Sequence, residues 1–130
     1  MSFILDTDHC VAVLRGRLDV NRFVEPGAVL YITAITVSEL IYGAHKSDRP
    51  EAHLAAIDEL LTAVAVLPFD TAAARRTGHL KDGLRRAGML PGEADLQIAG
   101  IALSQGHTLV THNVRHVERV PGLELTDWLQ

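Results

Sequence analysis

At 130 residues, with 48% hydrophobic and 22% charged residues, the chain reads as one globular domain over residues 1–130 and shows no compositional sign of disorder. A formal charge of −4, with ten Arg but only two Lys, argues against a nonspecific nucleic-acid coat, though not against an enzyme that meets nucleic acid through local basic patches. The lone Cys10 rules out an internal disulfide, and the chain has neither a leader-like opening nor an apolar run near the ~20 residues of a membrane span, so a cytoplasmic protein free of membrane is expected.

Short apolar runs alternate with longer segments of helical period, which is the pattern of α/β architecture. Residues 3–5 read as a buried strand feeding a helix over 7–14, which Gly16 ends. A second short helix is predicted over 18–24, before Pro26-Gly27, and a strand over 29–32. Thr36 opens the next helix, with Val37, Leu40, Ile41 and Ala44 as its inward stripe. Pro50 suits the first turn of a helix carrying Leu54, Ile57, Leu60, Leu61 and Val64. Residues 64–67 fit either the tail of that helix or a third strand, closed by Pro68. Asp70 is placed as the N-cap of a helix running to about Arg86 and ended by Gly88. A helix over 94–104, apolar on more than one side, stops at Gly106, and 108–111 form a strand. A short helix around 114–117 and an edge strand at 123–125 complete the order.

Chemistry gathers where these elements meet. Asp6 and Asp8 follow the first strand, Glu39 follows the second, Asp95 opens the late apolar helix, and Asn113 follows the strand beginning at Thr108. Each acid alone has a structural explanation. Asp6 and Asp8 suit helix caps, Thr36-x-x-Glu39 fits a capping box, and Asp95 gains about 0.3–1 kcal/mol from a helix dipole. Capping, however, does not require several helix starts to share one sheet edge. In a parallel α/β sheet, ligand sites lie beyond the carboxyl ends of the strands, so one crevice would collect Asp6, Glu39, Asp95 and Asn113. Acids so close repel one another unless a divalent cation neutralises them. Oxygen donors without a thiolate suit Mg²⁺ or Mn²⁺ rather than zinc.

His9, His112 and His116 fall near the same edge, but His112-x₃-His116 lacks the carboxylate that would complete a zinc pattern; His112 is one candidate for a substrate contact. His45, His53, His79 and His107 look like surface or turn residues. Arg75, Arg76, Lys81, Arg85 and Arg86 share one predicted helix, and Arg115 and Arg119 lie late in the chain. Any of them serves as a solvated face; Arg85, Arg86 and Arg115 are the candidates for holding substrate beside His112. No Gly-rich phosphate loop or nucleophile-elbow Ser is present.

Four stretches carry a resemblance. Ile4-Leu5-Asp6-Thr7-Asp8, Val37-Ser38-Glu39-Leu40-Ile41-Tyr42-Gly43-Ala44, Asp95-Leu96-Gln97-Ile98-Ala99-Gly100 and Leu109-Val110-Thr111-His112-Asn113, with the tail Glu118-Arg119-Val120-Pro121-Gly122-Leu123 and Asp127-Trp128, resemble PIN-domain ribonucleases of the VapC toxin type. The similarity spans essentially the whole chain. It implies a PIN-like three-layer sandwich, with a mostly parallel sheet of 4–5 strands flanked by about 6–7 helices. It also implies a metal-dependent endoribonuclease that acts as a toxin on structured RNA, often tRNA, is silenced by a small antitoxin, and forms a homodimer. Carried over by position, Asp6, Glu39 and Asp95 become the catalytic, metal-binding acids, with Mg²⁺ or Mn²⁺ as the ion. Asp8, Thr111 and Asn113 support them. Asn113 stands where many PIN domains carry a fourth Asp, which leaves one-metal and two-metal chemistry both open. His116 stands where an aromatic is usual and is read as a change in packing.

Two competing readings remain at this stage. Asp6-Thr7-Asp8 after an apolar strand also resembles haloacid-dehalogenase phosphatases, with Asp6 as nucleophile and Asp8 as acid, but that chemistry needs a downstream Lys, and only Lys46 and Lys81 exist. A PIN domain weakened at Asn113 would instead act as an RNA- or protein-binding module.

Overall fold

The structure, a computed structural model, describes residues 1–129. Its spine is β1 (Ser2–Leu5), which pairs in parallel with β2 (Val29–Thr33) on one side and β4 (Thr108–Val110) on the other. Strand β3 (Ala65–Leu67) lies beyond β2, and β5 (Leu125–Thr126) lies beyond β4, so the order is β3-β2-β1-β4-β5 with every pairing parallel. Side chains alternate across a strand, and β1 shows this plainly. Phe3 and Leu5 enter one core while Ile4 enters the other. A strand apolar on both faces has to be central, covered on each side by helices.

Helices α1 (Thr7–Leu14), α2 (Ala34–His45) and α3 (Pro50–Ala63) cover the Phe3/Leu5 face, contributing Cys10, Leu40, Ala44 and Ile57 to its core. Helices α4 (Thr71–Arg86), α5 (Glu93–Gln105) and α6 (Val114–Val117) cover the Ile4 face. The expected three-layer α/β sandwich is therefore observed, with five parallel strands and six α-helices among the described residues. Among those residues no helix is long and apolar enough to cross a membrane.

Helix α5 is the most enclosed element, with Leu96, Ile98, Ala99, Gly100, Ile101 and Ala102 all buried. A helix apolar on every side belongs inside. It lies hard against α4 at Gly100, where a Cβ would fall 1.9 Å from Thr77 Oγ1 and 3.1 Å from the Ala73 carbonyl oxygen. Asp95, in the first turn of α5, thus rides on a rigid support.

Several local expectations change. The segment 18–24 forms only a 3₁₀ turn, Val20–Arg22, which Asp19 caps by accepting from the Asn21 N–H and Phe23 ends, its N–H on the Val20 carbonyl and its ring stacked on Trp128 with centroids 5.3 Å apart. Helix α2 begins at Ala34, not Thr36. Thr33 is its N-cap, accepting from the Thr36 N–H at 3.2 Å, so the Thr36–Glu39 capping box does not form. Residues 65–67 resolve as strand because β2 offers a free edge, pairing Tyr31 with Ala65 and Thr33 with Leu67. The last strand lies two residues later than expected. Gly122, at φ 79°, first completes a turn in which the Leu123 N–H bonds the Val120 carbonyl, and only then does the chain pair with β4.

Candidate active site

Strands β2 and β4 leave β1 in opposite directions, and the connections opening from β1 and β4 diverge at the carboxyl ends. That is where a crevice forms in an open parallel sheet. Asp6 sits at its base. It follows β1 directly, in extended backbone, and its Oδ1 accepts from the Thr7 N–H at 2.8 Å, capping α1. Its Oδ2 accepts from the Thr111 hydroxyl at 2.7 Å, across the β1–β4 junction. The residue is only 6% exposed. Burial pushes its carboxyl up to about 6; the Thr111 hydroxyl and Thr7 amide oppose the rise, while the charges of Asp8 and Asp95 add to it.

The cap explanation for Asp6 is therefore correct but incomplete. A capping carboxylate is ordinarily exposed and unstrained, whereas this one is buried beside two further acids. Asp95 is half-buried at the start of α5, whose N-cap, Gly92, has no side chain to bond the free amides. Glu39 lies on α2 and receives the Thr7 hydroxyl at 2.6 Å on Oε1. The same hydroxyl lies 3.1 Å from that of Thr36. Glu39 thus joins the site through Thr7, the residue whose amide holds Asp6.

Asp8 has a different occupation. Its Oδ1 accepts from the His9 N–H at 2.7 Å and faces His9 Nδ1 at 2.8 Å, while its Oδ2 accepts from the His112 N–H at 2.9 Å. Burial alone would raise its carboxyl, but these donors and the nearby His9 ring outweigh that and hold it below the usual carboxylate range. An acid kept ionised by three donors is no proton donor, which removes the phosphatase reading. Its lysines are also engaged elsewhere, Lys46 over the Tyr42 ring and Lys81 on Glu93 at 3.0 Å. Cys10 is equally inert. Burial, with Asp6 and Asp8 adding to it, pushes its thiol up to about 12.

Thr111 is fully buried and does two jobs, donating to Asp6 and accepting from the Asn113 N–H at 3.1 Å. Asn113 opens α6 without a side-chain cap bond, so its exposed amide is uncommitted at the rim. His112 is 58% exposed, with Nδ1 2.8 Å from Asp127 Oδ2. His112, Asn113, Arg115, His116 and Asp127 line one cleft, and Arg115, His116 and Arg119 with the 88–92 loop line the next. His116 is not a packing substitution. It is 63% exposed, and its Nδ1 lies 3.6 Å from Asp95 Oδ2. Arg85 and Arg86 are exposed on α4, and each is paired with Asp82 at 3.0 and 3.1 Å, so nothing commits them to the acids.

The donor set fits a hard divalent cation. The charge of Asp95 adds to the cost of ionising Asp6, and a cation between them reverses that penalty. Among the described residues no three His, Cys, Asp or Glu side chains converge as a closed metal cluster. Two carboxylates with water completing the shell is the habit of Mg²⁺. Sequence reasoning named His9 and Asp127 without giving either a role; His9 is fully buried with both ring nitrogens engaged, and the Asp127 side chain is 5% exposed. The Asp8-His9 doublet at a helix start and the late Asp127-Trp128 doublet were the visible signals.

Comparison with known proteins agrees with this geometry. The PIN domain family profile matches residues 3–123. The chain is 39% identical over 130 residues to the tRNA(fMet)-specific endonuclease VapC of Salmonella typhimurium, covering 98% of each. It is 36% identical over 131 residues to Ribonuclease VapC2 of Haemophilus influenzae, covering 99% of each. Among solved structures, VapBC2 from Rickettsia felis bound to a promoter DNA fragment superposes with a TM-score of 0.91 at 29% identity, covering 98% of this chain and 99% of that one. DNA-bound VapBC from Salmonella typhimurium gives 0.89 at 38% identity, covering 98% of each.

Proposed function

Because the chain belongs to the PIN-domain family, among the VapC ribonucleases of toxin–antitoxin systems, we propose that it is an Mg²⁺- or Mn²⁺-dependent endoribonuclease that cuts structured RNA, tRNA included. The observation that carries this reading is Asp6, a buried carboxylate pushed up to about 6 at the β1–β4 crevice with Asp95 beside it. Such an arrangement makes ionising Asp6 costly, and nearby positive charge offsets that cost.

Asp6 and Asp95 hold the cation in this proposal. Glu39, tied through Thr7, completes or orients the shell. A divalent ion held by these acids would acidify water and offset charge on the scissile phosphate. The chain's own residues do the rest. Thr111 and the Thr7 amide fix both oxygens of Asp6, so its orientation is set before substrate arrives. Asn113 contributes a neutral oxygen at the fourth corner, with one negative charge fewer than an Asp there. His112, Arg115, His116 and Arg119 supply donors along the neighbouring clefts, where the flanking RNA phosphates lie. Arg85 and Arg86 contribute there only if they leave Asp82.

The proposal takes the 130 residues as one PIN-like unit, acting in the cytoplasm as a homodimer and restrained by a small cognate antitoxin. An apolar groove between α1, α2 and α3, lined by Val11, Leu14, Leu40, Ala44 and Ile57, ends at Thr7 and Glu39. An antitoxin segment seated there would abut the site it silences.

The test is cleavage of purified tRNA by antitoxin-free protein with Mg²⁺ or Mn²⁺, set beside growth arrest on expression. Asp6→Asn should abolish both while the protein stays folded. Cleavage undiminished in Asp6→Asn refutes the site, and RNA binding without cleavage by the parent protein supports the binding-module reading instead.

A further inference from the structure

His9, the third residue of α1, is fully buried in a chain whose other histidines reach the surface or a half-buried rim. Its environment fixes its chemistry. The backbone N–H of Trp128 donates to Nε2 at 3.0 Å, so that nitrogen presents a lone pair. The ring proton therefore resides on Nδ1, which faces Asp8 Oδ1 at 2.8 Å and donates to it. Asp8 Oδ2 takes the His112 N–H at 2.9 Å. The His112 ring meets Asp127 Oδ2 at 2.8 Å, and Asp127 Oδ1 accepts from the Leu129 N–H at 2.8 Å and lies 3.4 Å from His9 Nε2. The circuit closes from α1 through the 111–113 loop and the 127–129 tail back to α1. Trp128 seals it, its ring edge-on to Phe3 at 5.2 Å and stacked on Phe23 at 5.3 Å.

Both segments that this circuit joins reach the catalytic carboxylate. Thr111 holds Asp6, and the Thr111 N–H in turn bonds the Thr126 carbonyl at 2.9 Å. We propose that His9 is a positioning residue, a single-tautomer imidazole whose Nδ1 locks Asp8 onto the 111–113 loop and so sets Thr111 against Asp6 and His112 beside the substrate cleft. Its catalytic half rests on the ribonuclease reading; its hydrogen-bonding half does not.

The two nitrogens permit a discriminating test. Asn at position 9 places an amide where Nδ1 stands and keeps the donor to Asp8. Gln reaches the Nε2 position, satisfies the Trp128 N–H, and leaves Asp8 without that donor. Leu fills space and satisfies neither. Cleavage of a tRNA pool with Mn²⁺ should stay within about threefold of the parent in His9→Asn, while kcat falls about tenfold or more in His9→Gln and His9→Leu, as expected when a reacting group is displaced by a fraction of an ångström. Hydrogen exchange at the His112 amide should accelerate in Gln and Leu alone, with thermal melts confirming folded protein. Long-range ¹H–¹⁵N spectra of the parent should place the ring proton on Nδ1.

A proton on Nε2, or parent-like cleavage and amide protection in His9→Gln, overturns the inference. So does His9→Asn falling as far as Gln, which would show that the donor to Asp8 is not what the site takes from this residue. Should the parent cut no RNA, the ribonuclease reading falls, and the tautomer and amide exchange still decide the hydrogen-bonding half. If His9→Leu does not fold, the Asn and Gln pair carries the comparison.

Discussion

Asp6→Asn should make the protein more stable while making it inactive. The folded carboxyl titrates at about 6 against an ordinary 3.8, so the native state holds this proton more tightly than the unfolded chain. Ionisation therefore penalises the fold. Stability falls as pH rises from about 4 to about 6 and levels off above that, because across this window the native state binds more protons. A shift of about two units corresponds to roughly 3 kcal/mol. Asn keeps an oxygen for the Thr7 N–H but turns an amide donor toward the Thr111 hydroxyl, which must then accept. That exchange costs about 1 kcal/mol and leaves a net gain of about 2. For a chain of this length the gain is worth roughly 7 °C in Tm. Trp128, the only tryptophan and only 8% exposed, reports unfolding by its fluorescence. Melts in metal-free buffer should show the gain at pH 7.5 and its disappearance near pH 4. Adding Mn²⁺ should raise the Tm of the parent and not of the variant, since only the parent gains from the bound ion. A variant less stable at pH 7.5, or a difference that does not shrink on acidification, refutes the account of Asp6.

Thr111→Val removes the donor to Asp6 and the acceptor for the Asn113 N–H, costing about 1–3 kcal/mol. It should also push the Asp6 carboxyl above 6, moving the acidic limb of the cleavage pH profile to higher pH; an unmoved limb would show that this bond does not tune the site. Gly100→Ala forces a methyl onto Thr77 and the Ala73 carbonyl and should cost about 1–3 kcal/mol in chemical denaturation, with Thr77→Ala in the same chain recovering only part, because the 3.1 Å backbone contact stays. Asn113→Asp adds a negative charge at the rim and should tighten Mn²⁺ binding in isothermal titration, whereas unchanged affinity would place Asn113 outside the shell.

The sequence carried the local signals well wherever a residue's neighbours in the chain decided its conformation. The boundaries of α1 and α6 follow from residues at their own ends. Asp70 caps α4 as its position implies, accepting from the Ala73 N–H at 2.9 Å. It failed where a distant partner decided. Phe23 ends the 3₁₀ turn with its ring stacked on Trp128, more than a hundred residues away, and 65–67 become a strand only because β2 lies beside them. Thr36-x-x-Glu39 has the spacing of a capping box, yet Thr33 takes the cap and frees Glu39 to reach Thr7.

By itself, then, the sequence determined the alternation of strands and helices, the chain order of Asp6, Glu39, Asp95 and Asn113, and the chemical character of an oxygen-donor site, because periodicity, caps and residue type are local properties. Only the tertiary structure decided how those residues divide their labour. Asp6 is buried with its carboxyl pushed up, Asp8 is spent on His9 and His112, and Glu39 acts through Thr7. The reason is physical. Desolvation and hydrogen-bond partnership depend on what packs around a group, and here those partners arrive from strands and a tail a hundred residues apart.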